Sequence, residues 1–566
     1  MIEFINIILY LPRRKFVYIC TNIFRVFLFL GGDFLKKLKL FKYVILFFVL
    51  SLLLMSCSTE KSKELDKDSV VVAISPISEP ENGFDPCTGW GRYGSPIIQS
   101  TLVETDKDMN IINDIALDYY VSEDGLKWTF NIRDDVYFSD GVSLTSEDVK
   151  FTFETAKNSG SIVDLTNLES VNCIDSYKVE FNLLYPQSTF IYTIAETGIV
   201  PKHIYNKNYG QNPIGSGAYK LKQWDKGQQV ILEANEYYYK EQPKIKNIII
   251  LFMSEDSAFA AAKAGKVDIS YTTPEFAKNN KIDNMKIINI ESIDNRGITL
   301  PVLEENKKLT ENGYKIGNNV TSDVNIRRAL SYGIDRNMLI QNVLNGFGRP
   351  AYSECDGMPW ASEYSYIEYD FNKAINILEN SGWYDINDDG IREKNGINAE
   401  FDLYYSVGDS VRQALAMAVS EEAKKLGLNI NVKGESWDII DKEMYSSAVL
   451  MGWGAQNPME TYLLYHSDNT GRDYYNPEYY YSDNVDRYIN EAMAEKDLFK
   501  ANELWKKVQW DGITGVSTNG DIPFLWLVNV DHIYYIRNEL NIGKQKIHPH
   551  GHSWPLFSNV KDWEWL

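Results

Sequence analysis

The sequence predicts a mixed α/β chain built from more than one domain, and three observations lead there. The chain has 566 residues, whereas single hydrophobic cores stop growing at about 250–300 residues. Short apolar or alternating runs bounded by turn residues mark strands, the first being Val70-Val71-Val72-Ala73-Ile74. Capped segments such as Leu144-Thr145-Ser146-Glu147-Asp148-Val149 mark helices between them. Composition agrees with a globular body, at 44% hydrophobic and 24% charged residues.

The elements follow in order from the N-terminus. Lys36, Lys37, Lys39 and Lys42 precede an almost wholly apolar run, residues 43–55. Such a run is too short to span a membrane comfortably and reads as a secretory signal. Its ending, Leu54-Met55-Ser56-Cys57, resembles a bacterial lipobox. That resemblance implies lipid on Cys57 and a body outside the cytoplasmic membrane. Residues 1–34 hold a second apolar stretch and Cys20, which delay the basic run. We expect translation to begin near Leu35; the alternative is a leader with two hydrophobic segments. Residues 1–56 form the leader in either case. Residues 57–69 are polar, lack a packing period and read as a flexible tether.

The body is acidic. Residues 1–56 hold eight Lys+Arg and two Asp+Glu, so the remainder carries a formal charge of −27 against −21 for the whole chain. That balance argues against a nucleic-acid partner, since nothing would neutralise phosphates. Cys87, Cys173 and Cys355 are the cysteines beyond Cys57, too few for a disulfide framework. A single Cys87–Cys355 bridge is the one pairing considered. The 37 Tyr and 13 Trp fit either a large core or a ring-lined cleft.

Further elements come from local pattern. Asp124-Gly125 is a turn pair, and Trp128, Phe130 and Ile132 then alternate with polar residues as one strand face. Asp140-Gly141 makes a second turn before the helix capped by Thr145, with Asp148 three residues on. Pro213-Ile214-Gly215-Ser216-Gly217-Ala218-Tyr219 is a glycine-rich turn leading into a strand. Residues 258–268 form a helix ending in Gly-x-x-Asp. Residues 324–336, Val-Asn-Ile-Arg-Arg-Ala-Leu-Ser-Tyr-Gly-Ile-Asp-Arg, form another.

Taken in order, these segments resemble the large solute-binding proteins of peptide and nickel ABC importers, often called family 5. The resemblance spans about residues 70–566. It implies an α/β, bilobal, periplasmic-binding-protein-like fold (type II, large cluster) with a subdomain inserted in lobe I. Lobe I is expected at 70–104, 211–295 and 531–566, the subdomain at 105–210, and lobe II at 296–530. It also implies a chain that crosses between lobes twice and a ligand enclosed where they meet.

Four constellations are candidate sites. Phe84-Asp85-Pro86-Cys87-Thr88-Gly89-Trp90-Gly91-Arg92 occupies the place of the family's first cleft loop. There Cys87, Trp90 and Arg92 offer soft, stacking and anion-pairing contacts. Met451-Gly452-Trp453-Gly454-Ala455-Gln456-Asn457-Pro458-Met459-Glu460 looks like the lobe II ligand loop. Peptide binders of the family carry an amine-pairing Asp in this loop, and nickel binders a His near its end. This sequence has neither, which leaves Trp453, Asn457, Met459 and Glu460 as candidate contacts. His548, His550 and His552 fall on one face if extended, and three imidazoles suit nickel, zinc or copper. Asp385-Ile386-Asn387-Asp388-Asp389-Gly390 begins like a calcium loop, but Gly396 stands where its closing Glu belongs. It reads as a surface hairpin.

No nucleophile elbow, zinc-protease helix or phosphate loop occurs in the sequence, so an enzyme is not expected. The reading is a monomeric substrate-binding lipoprotein that closes on a short peptide, a nickel-type ion or a metal chelate. It would need no cofactor and would deliver its ligand to an ABC permease driven by separate ATPase subunits. A signalling or adhesion lipoprotein on the same fold is the alternative, and an extracellular hydrolase the remote one.

Overall fold

The computed structural model describes residues 67–566 except 93, 161, 307 and 552. The leader, Cys57 and His552 lie outside the described residues. No helix among the described residues is long and apolar enough to cross a membrane.

One lobe is built on a seven-stranded sheet. Its spatial order is Met285–Ile290, His532–Arg537, Ile269–Thr272, Ser69–Ile74, Asn247–Phe252, Gln229–Ala234, Tyr219–Asp225. Ser69–Ile74 runs parallel to both neighbours, in the middle of the sheet. A strand covered on both faces reads as a continuous apolar run, and Val70, Val72, Ala73 and Ile74 are all fully buried. The other lobe carries a six-stranded sheet, in the order Gly348–Pro350, Phe524–Val530, Asn295–Thr299, Ala448–Met451, Glu400–Ser406, Asn429–Glu435.

A four-stranded antiparallel sheet stands apart: Ala116–Val121, Lys127–Ile132, Lys178–Leu183 and Leu168–Asp175. Trp128, Phe130 and Ile132 face its core, as their alternation predicts. The helix Ser146–Asn158 covers that core. Its capping box is complete, Asp148 accepting the Thr145 backbone N–H at 2.9 Å.

The sequence motifs turn out to be devices of packing. A Cβ on Gly215 or Gly217 would stand 2.0 or 2.3 Å from a backbone oxygen at Ile98 or Ile97, so only glycine admits that approach. The helix Glu255–Lys263 ends before Gly265 at φ +68°. Asp268 then accepts the Val71 N–H at 2.8 Å and pairs with Arg537 at 2.5 Å. In the helix Val324–Gly333, buried Arg327 donates to the carbonyls of Thr321 and Asp521; Arg336, just beyond, donates to Trp526 and Ala351. These arginines tie loops to the second lobe.

The chain passes between the two large sheets twice, at residues 291–294 and at Asp531. The crossings hold each other: Ser292 Oγ donates to Val530 O at 2.6 Å, and Val530 N–H to Asp294 O at 2.8 Å. Residues 546–550 lie beside them. His548 N–H donates to Glu291 O and Ile293 N–H to His548 O, both at 2.8 Å. The lobes are closed. Ser188 of the four-stranded unit bonds Met493 O and Ala492 O of the second lobe at 2.7 Å, and Tyr192 meets Trp360 edge-on at 5.3 Å.

Cys87, Cys173 and Cys355 are free thiols. The Cys87–Cys355 bridge is therefore absent. Cys87 sits under the helix Ser146–Asn158, donating to Thr152 O at 3.6 Å, and burial pushes its thiol far up the pH scale.

Candidate functional site: the interlobe cleft

The cleft lies where the carboxyl edge of the six-stranded sheet meets the first lobe, the usual ligand position in α/β folds. From that edge runs the loop after Ala448–Met451. Its backbone is fastened at both ends. Trp453 N–H donates to Asn295 Oδ1 at 2.8 Å, and Asn295 N–H to Trp453 O at 3.2 Å, so the loop is stitched to the first crossing. His550 N–H donates to Gly454 O at 2.7 Å and Gln456 Nε2 to Ile547 O at 2.5 Å, which stitch it to the C-terminal segment. The Trp453 indole is half-buried and stacks on Tyr475 with centroids 5.4 Å apart.

Glu460 holds the loop backbone. It is 7% exposed, and its carboxyl accepts N–H groups of Gly454 and Ala455 at 3.0–3.1 Å. Burial pushes its pKa up to about 8, although those N–H groups oppose the rise. It fastens the loop and lies within electrostatic reach of Arg92 in the cavity wall. Asn457 is likewise committed: its Oδ1 accepts the Met459 N–H at 3.0 Å. Met459 opens the helix Met459–Tyr465, half-buried.

The first cleft loop divides. Cys87 belongs to the core. Trp90 joins an aromatic nest, with Phe84 and Trp554 both at 4.8 Å. Arg92 is exposed and lines the interlobe cavity. Of the predicted histidines, the two among the described residues take different partners. His548 is fully buried with Nδ1 2.9 Å from His532 Nδ1, so one ring donates and the other accepts. His550 Nδ1 lies 2.5 Å from Asp294 Oδ1. Backbone pairing to the crossings sends the two rings to separate partners. Burial works against the Asp294 charge, but Arg296 and His550 hold its carboxyl well below the ordinary range. Among the described residues one group of three carboxylate, thiol or imidazole ligands converges, Asp385, Asp389 and Glu393. It is on the surface hairpin, with Glu393 standing in for the missing position.

The cavity itself measures about 90 Å³. The first lobe and the four-stranded unit supply Arg92, Gln99, Glu196 and Lys546, and the second lobe supplies Gln456. Burial lifts Glu196 to about 8, with Arg92 and Lys546 opposing it. Burial also lowers Lys546. Sequence reasoning missed Glu196, Gln99, Lys546 and Gln456. They share no local sequence signal: Lys546 stands in the polar run Lys544-Gln545-Lys546 and Gln456 beside Asn457. The arrangement can enclose and pair a small charged solute.

Comparison with known proteins agrees with this geometry. A family model described as bacterial extracellular solute-binding proteins, family 5, matches residues 110–475. Protein XP55 of Streptomyces lividans is 30% identical over 487 residues, 83% of this chain and 85% of that one. The oligopeptide-binding protein AppA of Bacillus subtilis is 25% identical, covering 92% of this chain and 97% of its own. The structure of NikZ from Campylobacter jejuni in complex with Ni(L-His) superposes with a TM-score of 0.67 at 25% identity, over 88% of this chain and 99% of that one. The closed two-lobed body, the paired crossings and the family match together place this chain among the bacterial extracellular solute-binding proteins of family 5.

Proposed function

We propose that this chain is the substrate-binding component of an ABC importer, that it encloses a short peptide by lobe closure, and that it hands the peptide to a membrane permease. The observation that carries the reading is the charged cavity, to which both lobes contribute and which lobe separation would open. Ligand that touches both lobes favours the closed population, and release follows opening. A peptide suits the cavity because acidic Glu196 and basic Arg92 and Lys546 line the same small space. A metal chelate of an amino acid is the second reading, favoured by the likeness to NikZ. The reading includes a lipid anchor on Cys57.

Native mass spectrometry of the protein purified without added ligand tests the first part. A retained peptide of a few residues is expected; a stoichiometric metal with no peptide would transfer the assignment to the chelate. Metabolic labelling with an alkyne fatty acid tests the anchor. Label is expected on the intact protein and lost in Cys57→Ala, and label that persists in that variant would remove the anchor.

A further inference from the structure

Two buried polar atoms of the cavity lack a hydrogen-bond partner. Gln99 is 2% exposed; its Nε2 donates to Phe84 O and Tyr209 OH at 3.0 Å, while its Oε1 accepts from no donor. Ser558 Oγ, in the same wall, is buried without a hydrogen bond. Glu196, half-buried in the same cavity, makes no side-chain hydrogen bond or ion pair among the described residues, although Arg92 and Lys546 act on it through space. Native interiors leave few such groups unmatched, because each costs about 1–3 kcal/mol.

Glu196 is also poorly placed for a purely structural role. It is the last residue of the helix Phe190–Glu196, where exposed carbonyls repel a carboxylate. Lys546 acts on it only through space, its Nζ donating to Thr105 Oγ1 at 3.0 Å. Glu196 and Gln99 Oε1 offer acceptors beside the Ser558 hydroxyl, which can do either, and a cation placed against Glu196 would oppose the burial that raises its pKa and favour the carboxylate. A primary ammonium presents three donors and one positive charge, which answers all three.

We infer that Glu196 and Gln99 form the ammonium site of the ligand cleft, receiving the free N-terminus of a bound peptide. This inference rests on the peptide reading above and deepens it. It places amine recognition on the four-stranded unit and the first lobe, in a chain whose second-lobe loop holds its own acid, Glu460, on its backbone N–H groups.

The test presents full-length mature protein with an equimolar tripeptide library and with the same library N-acetylated, reading bound species by native mass spectrometry. Wild type should prefer the free-amine library by tenfold or more. Glu196→Gln, close in shape and uncharged, should lose that preference, and Gln99→Leu should weaken it. Glu196→Asp, which keeps the charge, should retain part of it. Thermal melts establish that each variant is folded; if Glu196→Gln is not, the wild-type preference and the Asp and Leu variants still decide. Equal capture of both libraries by wild type, or an intact preference in folded Glu196→Gln, overturns the assignment while leaving peptide binding in place. Capture of neither library overturns the peptide reading and this site with it.

Discussion

Replacing Asp294 by alanine is expected to destabilise the protein by about 3–5 kcal/mol, the cost of stripping one partner from a buried ion pair. Asp294 is fully buried beside the first crossing. Its Oδ1 meets Arg296 Nη1 and His550 Nδ1, each at 2.5 Å, and His532 Nε2 lies 4.0 Å from Oδ2. Arg296 is itself buried and would lose its directly bonded counter-ion, keeping only the through-space pull of Asp409. The sign of the pH effect follows from the depressed pKa. A carboxyl held below its unfolded value adds stability above about pH 4 and loses it as pH falls through the folded value. Urea unfolding at pH 7 should show the full deficit. Acid titration should show it shrinking below pH 4, as wild type surrenders the same contribution. A variant that unfolds in urea like wild type at pH 7 would show that the crossing does not depend on this ion pair.

The second large effect is expected at Glu460. Glu460→Ala removes the acceptor for N–H groups of Gly454 and Ala455, and a buried unpaired group costs about 1–3 kcal/mol. Both groups belong to the loop that carries Trp453, so peptide capture should fall together with stability, and for free and acetylated peptides alike. That uniform loss distinguishes a positioning residue from the ammonium site.

Its pH signature has the opposite sign to that of Asp294. The folded pKa is raised from 4.5 to about 8, so the folded state binds a proton that the unfolded chain has released. Stability from this group is complete below about pH 4.5 and declines as pH rises toward 8, at about 1.4 kcal/mol per unit of pKa displacement. Glu460→Gln cannot ionise and should flatten that part of the curve. Melting temperatures from pH 5 to pH 8 measure it, and parallel curves for wild type and the Gln variant would sink the claim. Glu478, raised to about 8 by burial, contributes a decline of the same direction in both proteins and leaves the difference intact.

The sequence by itself determined the secondary structure wherever local chemistry decides conformation. The capping box at Thr145 and Asp148 and the turn at Asp124-Gly125 involve residues within three positions of each other. The alternation of Trp128, Phe130 and Ile132 is a property of one strand. The ordered motifs also carried the family and its two-lobed fold, because the glycines, Asp268, Arg327 and Arg336 serve packing that the fold imposes on any member.

Only the tertiary structure decided the cleft. Gln99, Glu196, Gln456 and Lys546 come from four distant stretches; folding of the first lobe gathers three of them, and lobe closure adds Gln456. Nothing local distinguishes Glu196 from any other acid at a helix end. Direction of a side chain was equally out of reach. Extended spacing put His548 and His550 on one face, yet pairing of residues 546–550 to the crossings gave each ring its own partner, His532 and Asp294. Glu460 stood in the expected loop, and only the structure shows that its carboxyl accepts the N–H groups of Gly454 and Ala455. Periodicity reports which residues share a surface; which carboxylate is left without a partner depends on everything folded around it.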